Sequence, residues 1–169
     1  MSVEYKIAFD AERCVACYGC VVACKVWRER PLGVNCRRIE KIWQQGEGMP
    51  RLRHASINCQ HCAEPACMEA CPESAISKND DGLVLVDEQK CVGCRSCEVA
   101  CDFDVPQFPG DGEEKMVKCD LCVGRYDREK EEPPCVAPCP THALKLVKVS
   151  PEEKKRSEAA LLALLKSGE

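Results

Sequence analysis

Cysteine dominates the chemistry available to this sequence. Of 17 cysteines in 169 residues, all but Cys36 fall into four groups of four. The first group is Cys14, Cys17, Cys20 and Cys24, and the third is Cys91, Cys94, Cys97 and Cys101; both are spaced C-x2-C-x2-C-x3-C. The second, Cys59, Cys62, Cys67 and Cys71, and the fourth, Cys119, Cys122, Cys135 and Cys139, carry an insertion before the third cysteine, and each ends in Cys-Pro. The regular spacing is that of [4Fe–4S] ligation, in which three thiolates hold one cluster and the fourth reaches the other cluster of a pair. A tight loop with a thiolate every third residue can wrap three corners of a cube. Its peptide N–H groups face the sulfurs and ease the burial of negative charge. The fourth cysteine is expected at the start of a short helix, facing a neighbouring cluster.

Two other uses of cysteine compete with this one. Disulfides require an oxidising compartment and favour dispersed, even-numbered cysteines. Zinc also binds C-x2-C pairs, and group four alone reads equally well as a zinc ribbon. Zinc sites seldom take ligands at i, i+3 and i+6, as groups one and three do. Metal analysis separates the two, since zinc without sulfide would mark a structural zinc protein.

Cross-ligation predicts four sets. Cys14, Cys17 and Cys20 take Cys139, while Cys119, Cys122 and Cys135 take Cys24. Cys59, Cys62 and Cys67 take Cys101, while Cys91, Cys94 and Cys97 take Cys71. Cys36 is left as a small buried side chain. With every grouped cysteine used, no iron stays open for a substrate, so electron transfer, not catalysis, is the expected role. His61 and His142 lie inside ligand groups and read as packing or supporting residues; His54 has no constellation around it.

The elements that must position these groups are short. Ser74-Ala75-Ile76-Ser77, a turn at Asn79-Asp80-Asp81-Gly82 and Leu83-Val84-Leu85-Val86 read as a β-hairpin joining groups two and three. Tyr5 to Phe9 leads into group one, and Ala143 to Val149 leaves group four. Thr141-His142-Ala143-Leu144 after Cys139-Pro140 parallels Glu73-Ser74-Ala75-Ile76 after Cys71-Pro72, an internal repeat. The expected fold is therefore α+β: a duplicated two-cluster fold, with residues 59–101 as an inner unit nested in an outer unit of 1–58 and 102–149. Residues 150–169 add a C-terminal helix. Ser150-Pro151-Glu152-Glu153 has the N-cap, first-turn proline and capping-box glutamate of a helix start. Leu161, Leu162, Leu164 and Leu165 span an arc of roughly 160°. That face either folds onto its own domain or docks on another subunit, including a second copy. Trp27 and Trp43 read first as core residues; with the loop 106–114 they are also candidate partner surfaces. The charged stretch 126–134 reads as a solvated loop.

Composition agrees with a metal-organised fold. Only about a fifth of the chain is Leu, Ile, Val or Phe, close to the level at which apolar burial alone fails to fold a protein. The net charge of −4 gives no nucleic-acid footprint. Anionic clusters would deepen that charge and call for nearby cations, for which Lys25, Lys90, Arg95, Lys118 and Arg125 are candidates. The longest apolar run, Ala159 to Leu165, is far short of the about 20 residues that span a bilayer. With no signal peptide in sight the expected compartment is the cytoplasm, or export on a signal-bearing partner. No dinucleotide turn or P-loop motif is present.

The four groups resemble the four-cluster, ferredoxin-like iron–sulfur subunits of molybdenum and tungsten pterin oxidoreductases of the dimethyl sulfoxide, polysulfide, formate and tungsten-aldehyde types. The resemblance rests on Asp10 through Lys25, Asn58 through Cys67, Asp81 through Cys101, Lys118 through Cys122 and Pro134 through Leu144. It implies a protein relaying single electrons through four [4Fe–4S] clusters. Those clusters would link a pterin-containing catalytic subunit to a second redox subunit (flavin, quinone or ferredoxin linked). Cys94 is present where some relatives substitute it, so four clusters are expected; Asp102 stands where many carry proline. The missing export signal and membrane anchor point to an aldehyde- or formate-oxidising partner. A free-standing polyferredoxin is the alternative.

Overall fold

A computed structural model describes residues 3–45, 48–110 and 114–168. It contains three two-stranded antiparallel sheets and four helices. β1 (Glu4–Phe9) pairs with β6 (Leu144–Val149), with Phe9 opposite Leu144. This joins the segment entering group one to the segment leaving group four, 135 positions apart at that pair. β4 (Ile76–Lys78) and β5 (Val84–Val86) form the expected hairpin. Its turn is closed by Asn79, whose side chain accepts from the Leu83 N–H at 2.8 Å and whose carbonyl accepts from Gly82. Gly82 has φ +72°, and a Cβ there would lie 2.4 Å from the Glu4 side chain. Glycine is needed both for the backbone angle and for the close approach of β1.

The sequence reading missed the largest sheet, β2 (Arg37–Gln44) paired with β3 (Arg51–Asn58). The last four residues of β3 are buried on both faces. Ala55 and Ile57 join Ile42, Phe103 and Val105 in one apolar cluster. Ser56 and Asn58 turn toward the cysteines.

The helices α1 (Gly19–Trp27), α2 (Ala66–Glu69) and α3 (Ser96–Val99) start beside the third cysteine of groups one to three. The expected place of the fourth cysteine is corrected here. It is the third that opens the helix, while Cys24 lies inside α1 and Cys71 and Cys101 lie just past α2 and α3. One helical turn carries the backbone from the third to the fourth thiolate.

α4 (Pro151–Lys166) has the expected capping box: Ser150 Oγ accepts from Glu153 N at 3.2 Å, and Glu153 Oε2 accepts from Ser150 N at 2.9 Å. Its four leucines pack on Ile42, Ala55 and Ile57 of β2 and β3. The helix thus folds back on its own domain, and the apolar arc offered to a second copy is engaged internally. Lys154, fully buried, donates to Glu4 Oε2 and to the Gly82 carbonyl, each at 2.8 Å. One further reading is corrected: Trp27 and Trp43 are about half exposed and not core residues. The stretch 126–134 is exposed at Asp127 and 129–132, as a solvated loop should be, and is anchored by buried Pro133 and by Arg128, which stacks on Tyr5 and pairs with Asp81 at 2.9 Å. Of the loop 106–114, residues 111–113 lie outside the described part of the protein; Gln107 and Val117 form a bridge.

Candidate metal centres

Three cavities are each lined by cysteines of two different groups. Cys14, Cys17, Cys20 and Cys139 line one cavity. Cys59, Cys62, Cys67 and Cys101 line a second, and Cys71, Cys91, Cys94 and Cys97 a third. Cys24 is buried with Cys135, beside Cys119, in the largest apolar cluster, and Cys122 is buried as well. Among the described residues, no three His, Cys, Asp or Glu converge as a single ion would require. Four sulfurs spread around a cavity suit a polynuclear group better than one tetrahedral zinc.

The local backbone explains how each loop wraps. Ala16 and Tyr18 in group one, and Gly93 and Arg95 in group three, all have positive φ, two and four residues past the first cysteine. His61 and Leu121 hold the same angle two residues past Cys59 and Cys119. These left-handed residues turn N–H groups inward. The His61 N–H donates to Cys59 Sγ and the Leu121 N–H to Cys119 Sγ, both at 3.4 Å. After the Cys-Pro steps, Ala75 N–H reaches Cys71 Sγ at 3.4 Å and Ala143 N–H reaches Cys139 Sγ at 3.3 Å. Amide donors aimed at sulfur serve a thiolate.

Burial pushes the Cys62 and Cys119 thiols up to about 12, and the Cys67, Cys97 and Cys122 thiols up to about 11. Bare thiolates would be costly there, so coordination must offset the cost of deprotonation. The donor set, N–H groups and cavities fit [4Fe–4S] ligation. Cys36, 5% exposed, is buried in the same apolar cluster as Cys24 and joins none of the three cavities.

Of the five candidate cations, Lys118 alone is buried, donating to the Val84 and Cys119 carbonyls. Lys25 binds Val34 O at 3.2 Å and Asn35 Oδ1 at 3.3 Å. Arg95 lies over the Phe108 ring, and Lys90 and Arg125 are exposed. His61, 1% exposed, accepts from Val84 N through Nδ1 at 3.0 Å. Burial, with Lys118 nearby, lowers its pKa well below 6.5, so the ring is neutral with its proton on Nε2. His142 is exposed, and His54 lies in β3.

Sequence reasoning missed the residues that β2 and β3 deliver. Arg37 is 1% exposed and donates through Nη1 to Ser56 Oγ at 2.7 Å; Ser56 Oγ stands 3.7 Å from Cys20 Sγ. Burial opposes the Arg37 charge, yet Cys135, Cys119, Cys20 and Cys24 more than offset it and raise its pKa. Asn58, paired opposite Arg37, donates to the Cys59 carbonyl at 2.8 Å and approaches Cys119 Sγ at 3.8 Å. Arg28 pairs with Asp120 at 2.9 Å and ties the end of α1 to group four.

Residues 51–149 match the family model of the 4Fe-4S dicluster domain. The protein is 39% identical to the B subunit of anaerobic dimethyl sulfoxide reductase of Haemophilus influenzae, over 96% of its own length and 82% of that relative. The belonging is then plain. This chain is a member of the 4Fe-4S dicluster family and of the iron–sulfur subunits of molybdopterin oxidoreductases. The Escherichia coli K12 subunit of the same name is 37% identical over 98% of this sequence and 83% of its own. The formate dehydrogenase iron-sulfur subunit of Wolinella succinogenes is 36% identical over 85% and 82%. As an iron–sulfur subunit, this chain carries [4Fe–4S] clusters and transfers electrons within an oxidoreductase complex; it is not catalytic alone. These relatives are components of complexes, which disfavours the free polyferredoxin. Among the described residues, no helix is long and apolar enough to cross a membrane.

Proposed function

We propose that this subunit holds four [4Fe–4S] clusters in two nested pairs and relays single electrons between a molybdenum- or tungsten-pterin catalytic subunit and a second redox subunit. Each cluster, when bound, supplies a one-electron couple. The ligand sets are those of cross-ligation: Cys14, Cys17, Cys20 with Cys139; Cys119, Cys122, Cys135 with Cys24; Cys59, Cys62, Cys67 with Cys101; Cys91, Cys94, Cys97 with Cys71. The observation that carries this reading is the cavity shared by Cys14, Cys17, Cys20 and Cys139, from opposite ends of the sequence. Nested duplication is supported by the matching sheets β1–β6 and β4–β5 and by the matched positive-φ residues. The units run 1–58 with 102–149, and 59–101.

The subunit's own residues perform three tasks. Amide N–H groups and buried cations stabilise the thiolates. The apolar cluster around Leu83, Leu121 and Leu144 keeps water from the centre of the relay. Cys17 and Cys94 are exposed, unlike the other grouped cysteines, and we place the entry and exit of electrons beside them. Val15 and Val22 near Cys17, and Val92 and Val99 near Cys94, are exposed apolar residues at equivalent steps of groups one and three. Substrate choice resides in the catalytic partner. The test is anaerobic affinity purification of the native complex. A copurifying pterin-binding protein whose substrate alters the visible cluster band supports the reading; a subunit purified alone, carrying iron that no pterin enzyme reduces or oxidises, overturns it.

A further inference from the structure

Arg37 is a charged side chain sealed inside the protein. Its Nε and Nη2 have no hydrogen-bond partner among the described residues, and Nη1 is spent on Ser56 Oγ. Among those residues, no Asp or Glu oxygen lies within ion-pair distance of it. An uncompensated buried guanidinium is too costly to persist. Through Ser56 Oγ the guanidinium reaches Cys20, and Cys135, Cys119, Cys20 and Cys24, as cluster-bound thiolates, would act on its charge. Those four belong to both outer ligand sets, with Cys20 in one and the other three in its neighbour.

We propose that Arg37 is the internal counter-ion shared by the two outer clusters, a positioning residue that raises their reduction potentials and leaves the inner pair untouched. The inference rests on the ligand sets proposed above. Reduction adds one electron to an anionic centre, and a fixed positive charge alongside stabilises the reduced form more than the oxidised one. The Nε–H and Nη2–H groups, taken by no acceptor among the described residues, stay available to the clusters. Ser56 fixes the direction of the fork through Nη1 and itself approaches Cys20. Because β2 and β3 bring both residues in, the hairpin serves as the arm that holds this charge.

The test compares Arg37→Gln and Arg37→Lys with the unaltered full-length protein, all assembled anaerobically with iron and sulfide. Iron content and EPR-monitored redox titration are the readouts. Arg37→Gln is expected to lower two of the four couples by at least tenfold in their reduction equilibrium, about 59 mV for a one-electron couple, while the other two stay put. Arg37→Lys, which keeps the charge, is expected to restore most of that shift. Loss of about half the iron in Arg37→Gln, with retention in Arg37→Lys, supports the same role. Unchanged potentials in a fully loaded Arg37→Gln overturn it. So do equal shifts in both variants, or iron loss in both, since each marks packing and not charge. If the unaltered protein itself lacks the outer clusters, the ligand assignment fails instead.

Discussion

Lys154 offers a quantitative test of how the C-terminal helix is fastened. Its ammonium, fully buried, contacts Glu4 Oε2 and the Gly82 carbonyl at 2.8 Å, and Glu4 Oε1 pairs with Lys78 at 2.8 Å. One side chain thereby ties α4 to β1 and to the turn of the β4–β5 hairpin. Removing one member of a buried pair costs about 3–5 kcal/mol. Glu4 keeps Lys78 in Lys154→Met, and the methionine regains some apolar burial, so we expect a net cost of about 2–3 kcal/mol. In a protein of this size that lowers the melting temperature by about 4–12 °C. The assay is anaerobic thermal unfolding of the cluster-loaded subunit at one scan rate, since cluster loss makes unfolding irreversible. Replacing both partners, Glu4→Gln with Lys154→Met, is expected to recover part of the loss, giving a coupling that is not additive. The effect has a pH signature. Burial acts to raise the Glu4 carboxyl, but hydrogen bonds from Lys154 and Lys78 outweigh it and hold the group below its ordinary 4.5. Its contribution is therefore present above about pH 4.5 and is lost as the pH falls through the lowered folded value. The gap between the unaltered protein and Lys154→Met narrows over that acid range. A variant within about 0.5 kcal/mol of the unaltered protein at neutral pH, or strictly additive single changes, would refute the reasoning.

Three further outcomes follow from the geometry. Cys36→Ala keeps the full iron content, whereas Cys24→Ala loses about one cluster's share, read by iron and sulfide analysis. Gly82→Ala forces a side chain into left-handed backbone and onto Glu4, costing about 1–2 kcal/mol from the backbone alone and more through the displaced ion pair, read by the same melting assay. Ile57→Ala, in the apolar cluster between β3 and α4, destabilises by about 2–4 kcal/mol with unchanged cluster number.

Much of the proposed site is legible because cluster ligation constrains sequence locally: four thiolates at fixed spacing need tight loops, and those loops are written in consecutive residues. The strands at 5–9 and 143–149, the 79–82 turn and the capped C-terminal helix were legible for the same reason, each signalled within a few residues. The β2–β3 hairpin was not. Its alternation is broken because Arg37, Ser56 and Asn58 are buried polar residues serving the cysteines, where a strand pattern expects apolar ones. Arg37 was passed over because it is not adjacent to a ligand group in sequence; only the antiparallel register with Asn58 brings it there. The available signal was a cation opening a strand-like stretch, Arg37-Arg38-Ile39, in a protein whose buried anions need one.

The most direct measurement is iron and acid-labile sulfide per subunit in anaerobically purified protein, together with EPR of the dithionite-reduced form. The account predicts about sixteen of each and magnetic coupling between paired clusters. A colourless protein, or zinc without sulfide, would contradict it.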